Sequence, residues 1–280
     1  MPSALNADLH CHSTASDGTL APAAVAALAA RNGVALWSLT DHDELSGQAE
    51  AAAAARRLGM RYLPGVEISV TWAGRTVHIV GMNVDPTSAV LNEGLVHARS
   101  GRTRRAQEIG ERLASLGIAG AFDGALAHVG NPDLISRTHF ARWMVERGVV
   151  ADLQTAFSRY LGDGRAACVP HRWSRLADAV GWILASGGAA IVAHPGRYDF
   201  TPLEFDVFFG EFRKAGGTAI EVVTGSHTPD QYDEYADVAR HYGFLASRGS
   251  DFHGPGETRA EPGTLPALPR DLTPVWAQWL

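Results

Sequence analysis

Two hydrophobic periods alternate along the chain. Ala7 to His10 is a short apolar run that reads as a strand, and Leu20 to Arg31 has the pattern of an alanine-rich helix with Pro22 near its first turn and "NG" closing it. "VALWSLTDHD" is another short apolar run that ends in polar residues. Leu45 to Leu58 reads as a helix stopped by Gly59, and "RYLPGVEISV" as a third strand. Alternation around "AGR" predicts a hairpin whose second arm is Thr76 to Met82. From about Thr87 to Gly164 the pattern is helical throughout, most clearly in "LVHARSGRTRRAQEIGERLASLG" and "RTHFARWMVERG". Strand and helix alternate again through "AAIVAHP", "TAIEVVTG" and "FLASRGSDFH". This order predicts an α/β catalytic domain made from residues 1–86 and 165–280, with residues 87–164 inserted as a helical subdomain that caps the site.

Nearly every predicted strand delivers a polar residue at or just beyond its end: His10 and His12, His42, Glu67, His78, His194, Glu221, then Asp251 and His253. In closed or strongly curved parallel α/β sheets such ends converge in space. Imidazoles and carboxylates together suit Zn, Mn and Fe, and a bridging carboxylate lets two ions sit about 3.5 to 4 Å apart. Glu67 is the candidate bridge. His10 and His12 are two apart, so an extended strand puts both on one face, as ligands of one ion require. A single histidine after a strand is more often a hydrogen-bonded polar residue than a ligand. The succession of them is what favours a metal site.

Composition narrows the function classes. With 280 residues, 46% of them hydrophobic, the chain can bury one large core, or a medium one plus an insertion. A net charge of −6 argues against holding a DNA duplex by bulk positive charge, so anions must be bound by local clusters. No apolar run reaches the ~20 residues needed to cross a bilayer. Only Cys11 and Cys168 occur, and no basic-then-apolar leader precedes the first motif, so a reducing cytoplasmic interior is expected. No obligate protein partner is indicated.

"DLHCHSTASDG", "TDHD", "GVEIS", "VHIVG", "VAHP", "IEVV" and "GSDFH", in this order, resemble the PHP (polymerase and histidinol phosphatase) phosphoesterases. "NPDLISRTHFARWMVERG", "AFSRYLGDGRAACVP" and "GSHTPDQ" are similar to the subgroup of RNase AM and 3′,5′-nucleoside bisphosphate phosphatases. The resemblance implies a distorted (β/α)7 barrel and two to three divalent ions, with Mn favoured and Zn, Fe or Mg compatible. It places His10, His12, Glu67 and Asp251 on one ion, Glu67, His78 and His194 on a second, and Asp17, His42 and His253 on a third. Some members carry histidine where Asp17 stands; a carboxylate is harder and shifts preference toward Mn, Mg or Fe. Two ions flanking a water lower its pKa toward ~7, which supplies a nucleophile without a protein base. Glu67, Asp17 and His253 are then the catalytic candidates, and Asp8 and Asp41 are assigned to orienting imidazoles.

Substrate contacts are expected from the insertion and from loops. Arg99, Arg102, Arg104 and Arg105 form a basic cluster in an acidic chain, with Arg102 and Arg105 on one helix face. Arg137 in "ISRTHF" can pair with phosphate bidentately and Ser136 can donate its hydroxyl. Arg197 follows His194 closely, and His227 lies on a loop after a strand; both are candidates to face substrate. These residues suit removal of the 3′-phosphate from a nucleoside 3′,5′-bisphosphate, or trimming of a short RNA from a 5′-phosphorylated end. A phosphatase of a small metabolite such as histidinol phosphate is the alternative enzyme. A non-catalytic metal- or nucleotide-binding module is the alternative of another class.

Overall fold

The computed structural model describes residues 5–280. Its elements are β1 (Ala7–Asp8), α1 (Pro22–Arg31), β2 (Leu36–Trp37), α2 (Gln48–Arg57), β3 (Arg61–Tyr62), β4 (Gly65–Trp72), β5 (Arg75–Met82), α3 (Ala89–Arg99), α4 (Arg102–Ser115), α5 (Ala121–Leu126), α6 (Arg137–Glu146), α7 (Leu153–Ala156), β6 (Ser174–Arg175), α8 (Leu176–Ala185), β7 (Ala189–Val192), α9 (Pro202–Ala215), β8 (Ala219–Thr224), α10 (Pro229–Tyr242) and β9 (Leu245–Gly249). The run "RYLPGVEISV" is two strands, because Pro64 has no N–H to donate and interrupts the ladder between β3 and β4. The predicted hairpin is present: Trp72 pairs with Arg75 across a two-residue turn at Ala73 and Gly74.

Strands β1, β2 and β3 form a parallel sheet, and the order β6-β4-β5-β7-β8-β9 forms a mixed one. The two sheets join at two places. On one side Leu9 N–H donates to Arg248 O at 3.0 Å and Asp251 N–H to His10 O at 2.8 Å. On the other, Asp43 N–H donates to Glu67 O at 2.8 Å and Glu67 N–H to Asp41 O at 3.2 Å. The result is the distorted α/β barrel expected, with β5 antiparallel to both β4 and β7. Ile68, Ile79, Ile191, Phe208, Phe212 and Trp276 fill its main core and are almost fully buried. Alanine-rich α1 and α2 present Ala26, Ala29, Ala51 and Ala55 to Trp37 and Phe252, and these small side chains let the helices pack closely.

The chain divides into two compact units. One runs up to Ala98 and resumes over Trp173–Leu280; the other is Arg99–Arg172. The insertion therefore starts and ends later than the expected residues 87–164. Leu91 and Leu95 of α3 are buried in the barrel core, whereas Ala167 and Val169 are buried with Ile109, Leu113, Phe140 and Met144 in the core of the helical unit. The predicted continuous helix through "ARSGRTRR" also breaks, at Gly101, whose φ of 87° is left-handed and cannot continue an α-helix. Among the described residues no helix is long and apolar enough to cross a membrane.

Barrel closure brings β9 against the chain that leaves β1. A Cβ added at Gly249 would lie 2.3 Å from His10 Cβ and 2.6 Å from the His10 backbone nitrogen. Because backbone cannot swing aside as a side-chain tip can, Gly249→Ala should destabilise the chelated protein by about 1–3 kcal/mol. Urea unfolding measures this, and stability within about 0.5 kcal/mol of wild type would refute so close an approach.

Candidate metal centre

Glu67 lies on the inner face of β4, where its side chain is fully buried. Ser69, on the same face, is paired with His78 of β5, which places His78 diagonally across from Glu67. Two further groups arrive on the strand-like segment after β1. His10 and His12 share one face there, while Cys11 turns to the other and meets Asp8, Ser250 and Trp37. His42 follows β2, His194 follows β7, and Asp251 and His253 follow β9.

Five imidazoles surround the Glu67 carboxylate. Oε2 lies 3.3 Å from Nε2 of both His10 and His12 and 2.9 Å from His42 Nδ1. Oε1 lies 3.0 Å from both His78 Nδ1 and His194 Nε2. Asp251 Oδ1 stands 3.3 Å from His12 Nε2 and 3.6 Å from His10 Nε2. Asp17 Oδ1 stands 3.4 Å from His253 Nε2 and 3.7 Å from His42 Nε2. All nine expected ligands therefore come together. Their donor atoms form overlapping sets: His12, Asp17, His42 and His253; His10, Glu67 and His194; His10, His12 and Asp251; His42, Glu67 and His78. His10, His12 and His42 each belong to two sets, so the division among three ions is less clean than the resemblance implies.

These donors fit divalent cations. Buried atoms that make no hydrogen bond include His10 Nε2, both ring nitrogens of His12, Glu67 Oε2, His78 Nδ1, His194 Nδ1 and Asp251 Oδ1. So many orphaned polar atoms in one place are costly unless a ligand satisfies them. Backbone strain gathers here too. Asp43, His194 and Asp251 have φ of 50°, 28° and 54°, conformations that cost roughly 1–3 kcal/mol each.

Comparisons with known proteins identify the family. The PHP domain pattern matches residues 8–141. The chain is 48% identical to a 3′,5′-nucleoside bisphosphate phosphatase from Chromobacterium violaceum, over 98% of this chain and 96% of that one. The chain belongs to the PHP family of metal-dependent phosphoesterases. A 5′-3′ exoribonuclease from Haemophilus influenzae is 40% identical over 97% of this chain and 98% of its own. A Chromobacterium violaceum amidohydrolase structure with bound sulfate and no metal is 48% identical, with a TM-score of 0.95 over 98% of this chain and 95% of that one.

Electrostatics in the PHP centre hold most of the donors in metal-ready protonation states. Burial opposes the charge on Glu67, but His42, His78 and His10 outweigh it and hold its pKa well below the usual range. Asp251 is lowered in the same way, chiefly by His10 and His12. Burial lowers His12 and His194 to about 3 and also lowers His78, whereas at His10 the carboxylates of Glu221, Glu67 and Asp251 outweigh burial and raise the pKa well above the usual histidine range. Charged carboxylates and neutral imidazoles are the forms that bind cations, so a bound ion takes the place of the His10 proton.

The surrounding polar residues depart from expectation in part. Asp8 and Asp41 do not orient imidazole rings. Asp8 accepts the N–H groups of Ser250 and Gly263 at 2.9 and 2.8 Å, and Asp41 accepts Ser13 N–H and the hydroxyls of Ser13 and Ser16 at 2.6–2.7 Å. Both hold loops that carry ligands. Ser226, which the sequence did not single out, donates its hydroxyl to Asp251 at 2.6 Å. Arg197 reaches the same carboxylate oxygen, with Nη1 3.3 Å from Asp251 Oδ2 and its side chain half exposed.

His227, expected to face substrate, is occupied by the protein. It is buried, its Nδ1 donates to Val222 O at 3.1 Å and its Nε2 accepts Gly196 N–H at 2.9 Å. Ser136 likewise serves as the N-cap of α6 in a capping box with His139. Arg137, in the helical unit, contacts Asp163 Oδ1 at 2.7 Å and Leu161 O at 3.2 Å, and Arg105 donates to Val169 O at 3.0 Å. Burial, then the positive charges of Arg137 and Arg102, lower Arg105 to about 10, so three guanidinium groups gather in this unit.

The His227 environment has a measurable consequence. Burial lowers its pKa from 6.5 to about 4, so between these values the unfolded chain takes a proton that the folded chain refuses. Stability therefore falls as pH drops from 6.5 through about 4, by at most about 3 kcal/mol from this residue. Unfolding of the chelated protein at pH 7 and pH 4.5 should show a smaller loss for His227→Gln than for wild type. An equal loss would mean that His227 is not held neutral.

Proposed function

We propose that the chain hydrolyses the 3′-phosphoester of nucleoside 3′,5′-bisphosphates, yielding the 5′-monophosphate and inorganic phosphate. The observation that carries this reading is the coexistence of two anion-seeking features: the Glu67-centred cluster, and the separate gathering of Arg102, Arg105 and Arg137. The identity to a 3′,5′-nucleoside bisphosphate phosphatase supports it. Two or three divalent ions, with Mn the best match to three carboxylates among six imidazoles, would lower the pKa of a water and stabilise charge on phosphoryl oxygens.

The protein's own groups set the rest. Water oxygen attacks phosphorus in line as the bond from phosphorus to the ribose 3′-oxygen breaks, and that oxygen takes up a proton. Glu67, Asp17 and His253 hold the reacting end, and Glu67 stays charged because its imidazole neighbours outweigh burial. Arg197, half exposed beside Asp251, is placed to donate to phosphoryl oxygens. Arg137, with Arg102 and Arg105, is assigned the second phosphate. The 5′ end of a short 5′-phosphorylated RNA makes the same two demands, and the identity to an exoribonuclease supports trimming from that end. Histidinol phosphate has one phosphate and leaves the arginine gathering without a role. A non-catalytic module would not need all nine ligand residues.

Phosphate release from a nucleoside 3′,5′-bisphosphate, a nucleoside 3′-monophosphate and histidinol phosphate by the Mn-loaded enzyme tests the reading. The bisphosphate should lead by about tenfold or more in kcat/KM, ~1.4 kcal/mol. Arg137→Ala should raise KM for the bisphosphate and leave an aryl phosphate unaffected, whereas Glu67→Gln abolishes both. Equal activity on the 3′-monophosphate would sink the second phosphate site.

A further inference from the structure

Glu221 is a buried carboxylate at the metal centre that belongs to none of the ligand sets. It sits on β8 where the pairing with β9 slips between Glu221 and Val223. Such a bulge re-aims side chains. The two oxygens of Glu221 have different tasks. Oε1 lies 2.8 Å from His10 Nδ1, and Oε2 accepts the backbone N–H of His194 at 2.6 Å. Asp8 and Asp41 hold only backbone, hydroxyl and thiol groups, so this contact with a ligand ring sets Glu221 apart.

A carboxylate can only accept, so the His10 nitrogen that meets it must carry the ring proton. The opposite nitrogen, Nε2, is then the one left to offer its lone pair to a cation, and it faces Glu67 Oε2 at 3.3 Å and Asp251 Oδ1 at 3.6 Å. The second oxygen acts on conformation. His194 has φ 28° and ψ 58°, and a short bond from its N–H to a carboxylate holds that turn and aims the ring at Glu67. His10, Glu67 and His194 form one of the buried ligand sets. One residue thus controls a tautomer on the segment after β1 and a backbone turn after β7.

We propose that Glu221 is a positioning residue of the metal centre, fixing the His10 tautomer with one oxygen and the His194 turn with the other. The proposal rests on reading the cluster as a metal centre. Glutamine cannot substitute, because its amide offers one accepting oxygen and sets an NH2 against the other N–H. Aspartate is one methylene short of reaching both.

Two measurements test this on the full chain. Long-range 1H–15N spectra of the chelated, histidine-labelled protein report ring tautomers without any metal. His10 should carry a proton on Nδ1 in wild type, whether or not Nε2 is also protonated, and lose that fixed proton in Glu221→Gln. Titration of Mn into chelated protein should show that Glu221→Gln weakens the ions that depend on His10 and His194 by about 10- to 100-fold. The ion assigned to Asp17, His42 and His253, identified by its loss in Asp17→Asn, should stay within about threefold. A wild-type His10 whose Nδ1 carries no proton overturns the proposal whether or not the variant folds. So does a Glu221→Gln protein with wild-type Mn affinities, or one that loses all ions equally together with its thermal stability. Wild type that binds no Mn would refute the metal centre itself, and the tautomer spectra would still decide for or against Glu221.

Discussion

The structure depends on a carboxylate placed where a carboxylate is most expensive. Glu67 is fully buried on the inner face of β4, and five imidazoles close around its two oxygens. Without positive charge nearby a buried carboxylate would take a proton. Here the neighbours reverse that tendency, so the anion survives in the barrel. A cation-binding centre follows from the same arrangement, since a divalent ion supplies the positive charge that the buried carboxylates need and takes the ring nitrogens as ligands.

Holding nine donors together takes a second tier of polar residues that do not bind ions. Asp8 bolts the exit of β1 to Ser250 and Gly263, and Asp41 ties the loop that carries Asp17 through Ser13 and Ser16. His227 and Gln231 grip the two sides of Gly196, the first through its N–H and the second through its carbonyl, and so set the turn between His194 and Arg197. Strained backbone at Asp43, His194 and Asp251 persists because local bonds hold it: Asp43 accepts the N–H and hydroxyl of Ser69, His194 N–H donates to Glu221 and Asp251 N–H to His10 O. The apolar barrel core carries the cost.

Much of this was legible in the sequence because barrel topology turns chain order into spatial order. Apolar runs ending in His10, Glu67, His194 and Asp251 mark strand ends, and strand ends meet in a closed sheet. Less legible were features decided by tertiary contacts. His227 looks like Arg197 in sequence, a polar residue just after a strand, yet the bulge near Val222 frees a carbonyl that claims its ring. Ser136 reads as a hydroxyl donor, but it opens α6 and caps it. The domain boundary moved because helical periodicity in α3 does not say which core receives Leu91 and Leu95. Glu221 was visible as a strand-end acid, but only the bulge and the facing groups separate a ring-orienting role from a ligand role.

The central claim is that the strand ends converge on Glu67 to hold divalent ions. Anomalous diffraction from crystals grown with Mn, collected above and below the Mn absorption edge, tests it most directly. The account predicts two or three Mn peaks among the nine donors, with Glu67 oxygens contacting two of the ions. Mn peaks elsewhere on the surface and none at Glu67 would contradict it.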